Sequence, residues 1–329
     1  MGTGPAATGM MRGMSARVAI DDEVRAWRED GWVLLEGLIG VDEIDTAAKD
    51  LEGIVPSAEA YHADPDGETA RWLGQPANRP PAFTWPAEGP GFRPEQHIWK
   101  GEFPFPGTGA LNRLCQHPSL VDFARRALGE LDIRIYQTGL TAKYQGVANY
   151  EQPMHTDRNH SWLPPIGRAP WWNLQTFIYL SDQDESCATH IVSRTDAGDR
   201  PTTVWGIMPA SDPGLYAAER SSPGRRGSVL AYRNDVFHRG VDLTRPSAGR
   251  FYLAVSFKAT GQEWIGFDAP QSRSTSPDWV RLAEGSTPDE LALWGFPRPG
   301  HPVWDAALLD ATAQLYPRLD LRPWREALT

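Results

Sequence analysis

The sequence contains only two cysteines, Cys115 and Cys187, among its 329 residues. Two scattered thiols make neither a disulfide framework nor a zinc site, and such scarcity is typical of proteins from a reducing cytoplasm. The chain also lacks a run of about 18 apolar residues, the length that a membrane span requires. Residues 1–16 have no apolar segment of a secretion signal and are interpreted as a flexible tail. We therefore expect a cytoplasmic protein with no membrane partner.

Positive charge is also scarce. The chain has 32 lysines and arginines against 42 aspartates and glutamates, which gives a formal net charge of −10. An acidic chain is a poor partner for nucleic acid, which binds proteins through positive charge. Hydrophobic residues at 40% and charged residues at 22% are ordinary for a globular domain. The composition therefore favours a globular protein with a small-molecule substrate, and it leaves the oligomeric state undefined.

The N-terminal part, residues 17–131, is predicted to be helical and irregular. Helical spacing and end signals predict a helix from Asp21 to about Asp30 and another over 118–128. Residues 62–110 are rich in proline, glycine and tryptophan and show no sustained period. We expect ordered irregular structure in that segment.

From residue 132 the pattern changes to short β-branched and aromatic runs that turn residues separate. These runs are 133–138, 172–180, 228–232 and 251–257. Strands without intervening helices favour an antiparallel barrel or jelly roll over a parallel sheet. Residues 262–329 return to short helical pieces. We therefore predict a single domain over 17–329, mainly β with flanking α, in which helices from both ends surround a β core of about 132–258.

His155 and Asp157 are the first candidates for a metal site among the eight histidines. Residues i and i+2 of a strand project from the same face, so the imidazole and the carboxylate would converge. A histidine from another strand, His238, would complete a facial triad. That arrangement is typical of non-haem Fe(II) oxygenases, because three protein ligands leave coordination positions open. A His-x-Asp pair by itself is common in proteins.

Arg250 begins a strand in which apolar residues alternate with residues of another kind. One face carries Arg250, Tyr252, Ala254 and Ser256, and the other carries Phe251, Leu253, Val255 and Phe257. The apolar face is expected to pack against helices, which directs the arginine into the barrel. A buried guanidinium needs a carboxylate, and its planar shape suits bidentate binding. That carboxylate belongs either to a ligand or, as the alternative, to the protein itself.

The order of these residues resembles the phytanoyl-CoA dioxygenase family of iron- and 2-oxoglutarate-dependent enzymes. The resemblance rests on His155-x-Asp157, on Gly227 and the strand after it, on His238, and on Arg250 twelve residues later. It implies a double-stranded β-helix, the cupin-like form of the jelly roll. It also implies Fe(II), 2-oxoglutarate and O₂, with succinate, CO₂ and an oxidised small molecule as products. Arg250 is then expected to bind the 2-oxoglutarate carboxylate.

The same resemblance assigns further residues. Gln175 lies where family members line the cosubstrate, and Gln137 is predicted as a second cofactor-binding residue on the preceding strand. His190 lies where the family has Pro-Gly-Ser-His, and because that sequence is absent His190 is left out of the metal site. Related halogenases have Gly or Ala at the position of Asp157, so the carboxylate favours hydroxylation, desaturation or ring formation.

Asn159, His160 and Trp162 follow the ligand pair and are predicted to contact substrate, as polar orienting groups and an aromatic wall. The alternative is that Trp162, like Trp171 and Trp172, packs in the core. Pocket composition favours a polar or aromatic metabolite of a tailoring pathway. Segments 62–110 and 196–222 are predicted to cover the pocket.

Two other functions remain open from the sequence. One is a non-catalytic jelly-roll protein that binds a metal or a small acid. The other is a zinc-dependent hydrolase that uses His155, Asp157 and His238. Arg250 disfavours the hydrolase, because water activation needs no carboxylate-binding group.

Overall fold

The computed structural model describes most of the chain, and the statements below refer to those residues. They are 16–73, 98–101, 103–145, 152–164, 167–202, 206–266, 273–274 and 276–328. The predicted tail, apart from Ala16, lies outside the described residues. So does much of the segment expected to be irregular, together with parts of both predicted lids.

Twelve α-helices occur in the described part. They are α1 (Asp21–Glu29), α2 (Val41–Lys49), α3 (Ala58–Ala63), α4 (Pro65–Leu73), α5 (Ala110–Leu114), α6 (Pro118–Leu128), α7 (Arg194–Ala197), α8 (Pro213–Ala217), α9 (Pro277–Glu284), α10 (Pro288–Leu293), α11 (Ala306–Leu315) and α12 (Arg322–Glu326). The predicted helices near residues 21–30 and over 118–128 are confirmed, as is the helical C-terminal extension. No helix among the described residues has the length and apolar character that a membrane span requires.

Helix α4 corrects the expectation of irregular structure over 62–110. It begins with Pro65 and carries Asp66 and Glu68 in its first turn. Proline at the first helical position and acidic side chains near the N-terminus both favour helix initiation. The overall proline and glycine content of the longer segment concealed these local signals.

Nine strands form two antiparallel sheets. They are β1 (Trp32–Leu35), β2 (Ile98–Lys100), β3 (Ile133–Tyr144), β4 (Asn173–Tyr179), β5 (His190–Val192), β6 (Arg220–Ser221), β7 (Val229–Tyr232), β8 (Phe237–Arg239) and β9 (Gly249–Ala259). The larger sheet has the order β1-β7-β4-β9-β3-β2 and the smaller one has the order β6-β5-β8. Every pairing is antiparallel, and the described strands remain two sheets rather than one closed barrel.

The central strand β9 has the predicted alternation. Phe251, Leu253, Val255 and Phe257 belong to the main hydrophobic core, which also contains the buried residues of α1, α2, α6 and α9. Tyr252 and Ala254 belong to a separate cluster on the opposite face of the sheet. One sheet face therefore packs against the helices, and the other is left to line an interior site.

Gly227 is required by the chain path into β7. Its φ is +90°, and a Cβ at this position would lie 2.5 Å from the backbone oxygen of Ile39. Only glycine adopts this conformation and allows this approach without strain. The turn aligns β7 between β1 and β4, with Tyr232 opposite both Trp32 and Gln175.

Candidate metal centre

His155 and His238 lie directly opposite one another across an isolated antiparallel bridge. The His155 N–H donates to the His238 carbonyl at 3.1 Å, and the His238 N–H donates to the His155 carbonyl at 2.8 Å. Opposed residues of an antiparallel pair project to the same side, and the two ring centroids are 4.4 Å apart. His155 therefore lies in a single bridge rather than in a longer strand, and β8 supplies the second imidazole.

Asp157 joins these histidines two residues after His155. One candidate ligand atom from each of the three residues lies within 4.8 Å of the others, and all three residues are buried. The described residues contain no other cluster of three or more such groups. The predicted convergence of His155, Asp157 and His238 is therefore present in the structure.

Backbone carbonyls determine which imidazole nitrogens face the centre of the cluster. Nδ1 of His155 lies 2.8 Å from the Pro153 carbonyl, and Nδ1 of His238 lies 3.2 Å from the Val236 carbonyl. A carbonyl only accepts, so each Nδ1 carries the proton and each Nε2 keeps a lone pair. This second interaction of the ring is typical of metal-binding histidines.

Tyr232 orients the carboxylate in the same way. Its hydroxyl donates to Oδ2 of Asp157 at 2.9 Å, while Oδ1 lies 3.6 Å from Nε2 of His238. One oxygen is thus held by the larger sheet and the other points into the cluster. Tyr232 was not singled out from the sequence, because its contact depends on how the two sheets face each other.

The protonation states favour a cation. Burial, with a contribution from the neighbouring His238, lowers the pKa of His155 to about 4. Burial by itself raises the pKa of Asp157, but the three nearby histidines and the Tyr232 hydroxyl outweigh it and lower that pKa. Near neutral pH the site therefore offers neutral imidazole and ionised carboxylate, the forms that bind metal.

Two imidazole nitrogens and one carboxylate oxygen on one side of a centre form the donor set of non-haem Fe(II) oxygenases. Zinc hydrolases also use two histidines and a carboxylate. The donor set therefore fits a divalent metal with open coordination positions. The residues around the ligands must distinguish an oxygenase from a zinc hydrolase.

Arg250 is the first residue that bears on this distinction. It is 2% exposed, its Nη1 donates to the Cys187 carbonyl at 2.9 Å, and its guanidinium lies 5.7 Å from the ring centroid of Tyr252. Its Nε is buried without a hydrogen-bond partner, and no carboxylate of the described residues forms an ion pair with it. The alternative of a salt bridge within the protein is therefore not found in the described part of the chain.

Lys143 adds a second buried cation. It pairs directly with Arg250 across β3 and β9, is 0% exposed, and donates its Nζ hydrogen to the Val241 carbonyl. Gly240 lies close to both Gln152 and Arg250, since a Cβ there would lie 3.0 Å from Oε1 of Gln152 and 3.5 Å from Nη2 of Arg250. The two side chains therefore place two positive charges at one end of the inner face of β9. We call Lys143 and Arg250 the cation end.

A buried group of uncharged polar side chains occupies the other end of the inner face of β9. Nε2 of Gln175 contacts the Tyr136 hydroxyl, Nδ1 of His160 at 2.9 Å and Oδ1 of Asn234 at 2.7 Å. Oε1 of Gln175 accepts from Ser256. Asn173 donates to the Tyr136 hydroxyl at 3.3 Å. We call Tyr136, His160, Asn173, Gln175, Asn234 and Ser256 the amide network.

Gln137 and Gln175, the two glutamines predicted to bind cofactor, both lie at the amide network. Ser256 hydrogen-bonds Gln137 at 3.2 Å and pairs in register with both glutamines. Arg250 is six residues away on the same strand, or about 20 Å at ~3.3 Å per residue. The role of the glutamines stays a prediction, but they and Arg250 stand at opposite ends of the site.

The structure separates the predicted substrate residues. His160 lies beside Gln175, whereas the side chain of Asn159 lies outside what the structure describes. Trp162 is 90% exposed, so the alternative of core packing is wrong for it. Trp171 does pack, edge to face with Trp27 at 5.7 Å. His190, left out of the metal site, lies 3.2 Å from the Glu219 carboxylate.

No protein-family model matches the chain, and no curated protein matches its sequence. Several solved structures are similar to it. EctD from S. alaskensis in its apo form has a TM-score of 0.51 and 17% identity, with 78% of this chain and 85% of that chain covered. AviO1 from Streptomyces viridochromogenes Tue57 has a TM-score of 0.51 and 13% identity, with 75% and 98% covered. SnoK, described as a non-haem α-ketoglutarate-dependent carbocyclase from nogalamycin biosynthesis, has a TM-score of 0.50 and 16% identity, with 73% and 84% covered.

At these identities the similarity shows the fold. The chain has the jelly-roll architecture of these proteins, flanked by helices, as the sequence predicted. The resemblance to the phytanoyl-CoA dioxygenase family in particular stays a prediction, because no family model matches.

Proposed function

We propose that this protein is a non-haem Fe(II)- and 2-oxoglutarate-dependent oxygenase that oxidises a small-molecule metabolite, with hydroxylation as the first outcome to test. The observation that carries the proposal is a pair of features in one interior. Three candidate metal ligands converge, and a buried guanidinium has no carboxylate partner among the described residues. The two features share a neighbour, because the charges of both Asp157 and Arg250 act on Tyr252. A hydrolase needs the first feature only, whereas a 2-oxoglutarate enzyme needs both.

The three ligands and the cation end would bind different groups. Nε2 of His155, Nε2 of His238 and Oδ1 of Asp157 would hold the iron, and the cation end would bind the distal carboxylate of 2-oxoglutarate. When bound, iron with 2-oxoglutarate and O₂ supplies the oxidising chemistry, in which 2-oxoglutarate becomes succinate and CO₂. The chain itself contributes positioning, charge complementarity and exclusion of water.

An apolar cluster lies between the two ends of the site. Phe177 and Tyr252 stack at 4.2 Å, and the buried Leu230 and Ile191 belong to the same cluster. A dry surrounding strengthens the attraction between a carboxylate and Arg250. It also limits unproductive reaction with water.

The similar structures support the cofactor assignment without defining the substrate. SnoK and the related SnoN, an epimerase, are described as α-ketoglutarate-dependent and belong to nogalamycin biosynthesis. EctD has been crystallised with 2-oxoglutarate and 5-hydroxyectoine. These reactions differ, so the fold is compatible with ring formation and epimerisation as well as hydroxylation. A role in natural-product tailoring and membership of the phytanoyl-CoA dioxygenase family are parts of the same proposal.

The decisive experiment is anaerobic titration of the metal-free protein with Fe(II), followed by 2-oxoglutarate. We expect a weak visible charge-transfer band when the keto acid chelates the iron, and succinate formation after O₂ is admitted. His155→Ala should give no band because it lacks a ligand. His301→Ala, at an exposed position, is the matched control and should behave as wild type.

Either alternative predicts a different result. A zinc hydrolase or a non-catalytic binding protein would give no band with Fe(II) and 2-oxoglutarate. A band without O₂-dependent succinate would indicate a binding protein that shares the donor set. Either outcome would overturn the oxygenase proposal.

A further inference from the structure

The residues immediately before the two candidate histidine ligands pack together, away from the metal centre. They are Met154, before His155, and Phe237, before His238. Neighbouring residues of an extended segment project to opposite sides of the chain. Both side chains are fully buried in a hydrophobic cluster that is separate from the main core. We call this cluster the rear cluster, and its buried members are Met154, Val192, Ala197, Leu215 and Phe237.

Helix α8 packs against the rear cluster and closes it from outside. Leu215 of this helix is fully buried in the cluster, and the partly buried Ile207, Tyr216 and Ala218 pack against it. All four residues belong to the segment 196–222, which the sequence predicts to cover the pocket. In the structure this part of the segment contacts the side of the ligand segments that faces away from the metal centre.

The Tyr216 hydroxyl holds the segment that carries His155. It accepts a hydrogen bond from the Met154 N–H at 2.9 Å and donates one to the Ile207 carbonyl at 2.8 Å. Met154 and Ile207 also lie opposite each other in an isolated antiparallel bridge. The hydroxyl therefore joins both sides of that bridge, one residue before the imidazole ligand.

Glu219 holds strand β8 in the same region. Its carboxylate binds Arg239, the residue after His238, through two hydrogen bonds: Nε donates to Oε2 at 2.7 Å and Nη2 donates to Oε1 at 2.9 Å. Arg239 is buried, and its guanidinium lies 5.2 Å from the centroid of the Tyr216 ring. Two-point binding fixes the orientation of a guanidinium as well as its position. Tyr216 and Glu219 thus hold the two segments that carry the histidine ligands.

The histidine ligands need this support because the segments that carry them are short. His155 lies in an isolated bridge, and β8 has three residues. Short segments have few backbone hydrogen bonds that fix their position, whereas a binding site requires its ligands to be held within about 0.5 Å. Contacts behind the ligands can supply the rigidity that the strands by themselves do not.

We propose that Tyr216 and Glu219 are positioning residues of the metal centre, and that metal binding and the packing of residues 206–219 stabilise each other. Each residue acts through the neighbour of a histidine ligand. A metal ion that binds more tightly to the supported arrangement must also stabilise that arrangement, because the coupling between two equilibria is reciprocal. The inference rests on the metal centre of the proposed function, but not on the reaction that takes place there.

The probe is Co(II), because its visible bands report coordination without O₂ chemistry. Metal-free protein is titrated with Co(II) in competition with a chelator of known affinity. Tyr216→Phe removes the hydroxyl and keeps the ring, and Glu219→Gln removes the charge and keeps the shape. We expect each variant to bind Co(II) about tenfold more weakly, the lower end of the range for outer partners of metal ligands.

Tyr316→Phe and Glu284→Gln are the matched controls in the C-terminal extension. The Tyr316 hydroxyl accepts from Trp279 at 2.9 Å, and Glu284 binds Arg318 at 2.8 Å. Each control makes the same change of side chain and removes a comparable interaction, so its Co(II) affinity should equal that of wild type. A purely structural role of the two positioning residues would give the same result as the controls.

Hydrogen–deuterium exchange measures the coupling itself. Co(II) at saturation should slow amide exchange in residues 206–219 of wild-type protein, because local opening would then have to disrupt the bound site. The same protection should be smaller in Tyr216→Phe. The Glu284→Gln control should show the protection of wild type.

Two outcomes overturn the inference: wild-type Co(II) affinity in Tyr216→Phe, or exchange in residues 206–219 that is equal with and without Co(II). Tyr216→Phe keeps the ring against the rear cluster, so it decides the outcome even if Glu219→Gln fails to fold. The band of wild-type protein with Fe(II) and 2-oxoglutarate is recorded in parallel. Wild-type protein that binds Co(II) but lacks this band refutes the proposed function and leaves the inference standing.

Discussion

The two ends of the inner face of β9 differ in charge although one strand builds both. At one end Arg250 lies opposite Lys143, and two buried cations face each other. At the other end Ser256 lies between Gln137 and Gln175, and every group is neutral. The metal ligands adjoin the neutral end through Tyr232.

The difference has a physical consequence for what each end can bind. The buried guanidinium of Arg250 forms no ion pair with a carboxylate of the described residues, so the proposal places the anionic group of the cosubstrate at this end. The amide network already satisfies most of its own hydrogen bonds, so it adds rigidity to this part of the sheet. The proposed function assigns the anionic cosubstrate to the cation end, and the neutral end has no charged group to offer to it.

The largest effect should come from the candidate metal centre, which adjoins the neutral end. We expect His155→Ala, Asp157→Ala and His238→Ala each to abolish turnover and iron binding while the protein stays folded. Each change removes one of the three candidate ligands that converge in the described part of the chain. Iron analysis of the folded variants measures this, with His117→Ala as the control because His117 caps helix α6 instead. Normal iron content in all three variants would refute the metal centre.

Substitutions of Arg250 test the difference in charge between the two ends of the inner face. Arg250→Gln should weaken 2-oxoglutarate binding roughly thirty-fold to a few thousand-fold, the cost of about 2–5 kcal/mol for truncating a buried charge pair. Arg250→Lys should lose less, because it keeps the charge without the planar geometry. Iron content should stay normal in both. Titration of 2-oxoglutarate against the visible band measures the effect.

Ser256→Ala is the matched control for Arg250, on the same face of the same strand. It should change 2-oxoglutarate affinity far less, because it lies at the neutral end. Equal losses in Arg250→Gln and Ser256→Ala would remove the distinction between the ends.

A smaller effect is expected at Tyr232. Tyr232→Phe removes the hydroxyl that orients Oδ2 of Asp157 and leaves the ring in place. Loss of such an outer partner typically costs 10–100-fold in metal affinity, and we expect a decrease of about that size. Competition with a chelator of known affinity measures it. Unchanged affinity would mean that His155 and His238 alone orient the carboxylate.

The metal-free protein should also lose stability in mild acid. The folded pKa of His155, about 4, is below its unfolded value of about 6.5. Between these values the unfolded chain binds more protons, so the free energy of unfolding falls as the pH falls from about 6.5 to about 4. Denaturant titrations across this range measure the slope. His155→Gln should reduce it, and an unaltered slope would contradict the assignment.

The smallest effect is expected at Trp162. Its side chain is 90% exposed, so Trp162→Ala should change the free energy of unfolding by no more than about 0.5 kcal/mol. A core tryptophan would instead cost roughly 3–5 kcal/mol. Thermal unfolding beside Trp27→Ala, which removes a fully buried ring, makes the comparison direct.

Much of the fold was predictable because it depends on local pattern. The alternation of Phe251, Leu253 and Val255 with Tyr252 and Ala254 separates two faces whatever the strand pairs with. The run from Pro118 to Leu128 carries its own start and stop signals, and Gly129 at φ +74° ends it. In α4 the same kind of signal was present, but the surrounding composition obscured it.

The sequence by itself is enough to single out His155, Asp157 and His238 as candidate metal ligands and Arg250 as a candidate cosubstrate residue, because their residue types and order are typical of iron- and 2-oxoglutarate-dependent oxygenases. Only the tertiary structure decided what surrounds them. The Tyr232 contact with Asp157, the pairing of Lys143 with Arg250 and the bulge at Tyr136 all depend on strand register and on the approach of two sheets. The pairing of β3 with β9 brings together residues that are more than a hundred positions apart in the chain. No local sequence pattern predicts which of these residues will lie opposite one another.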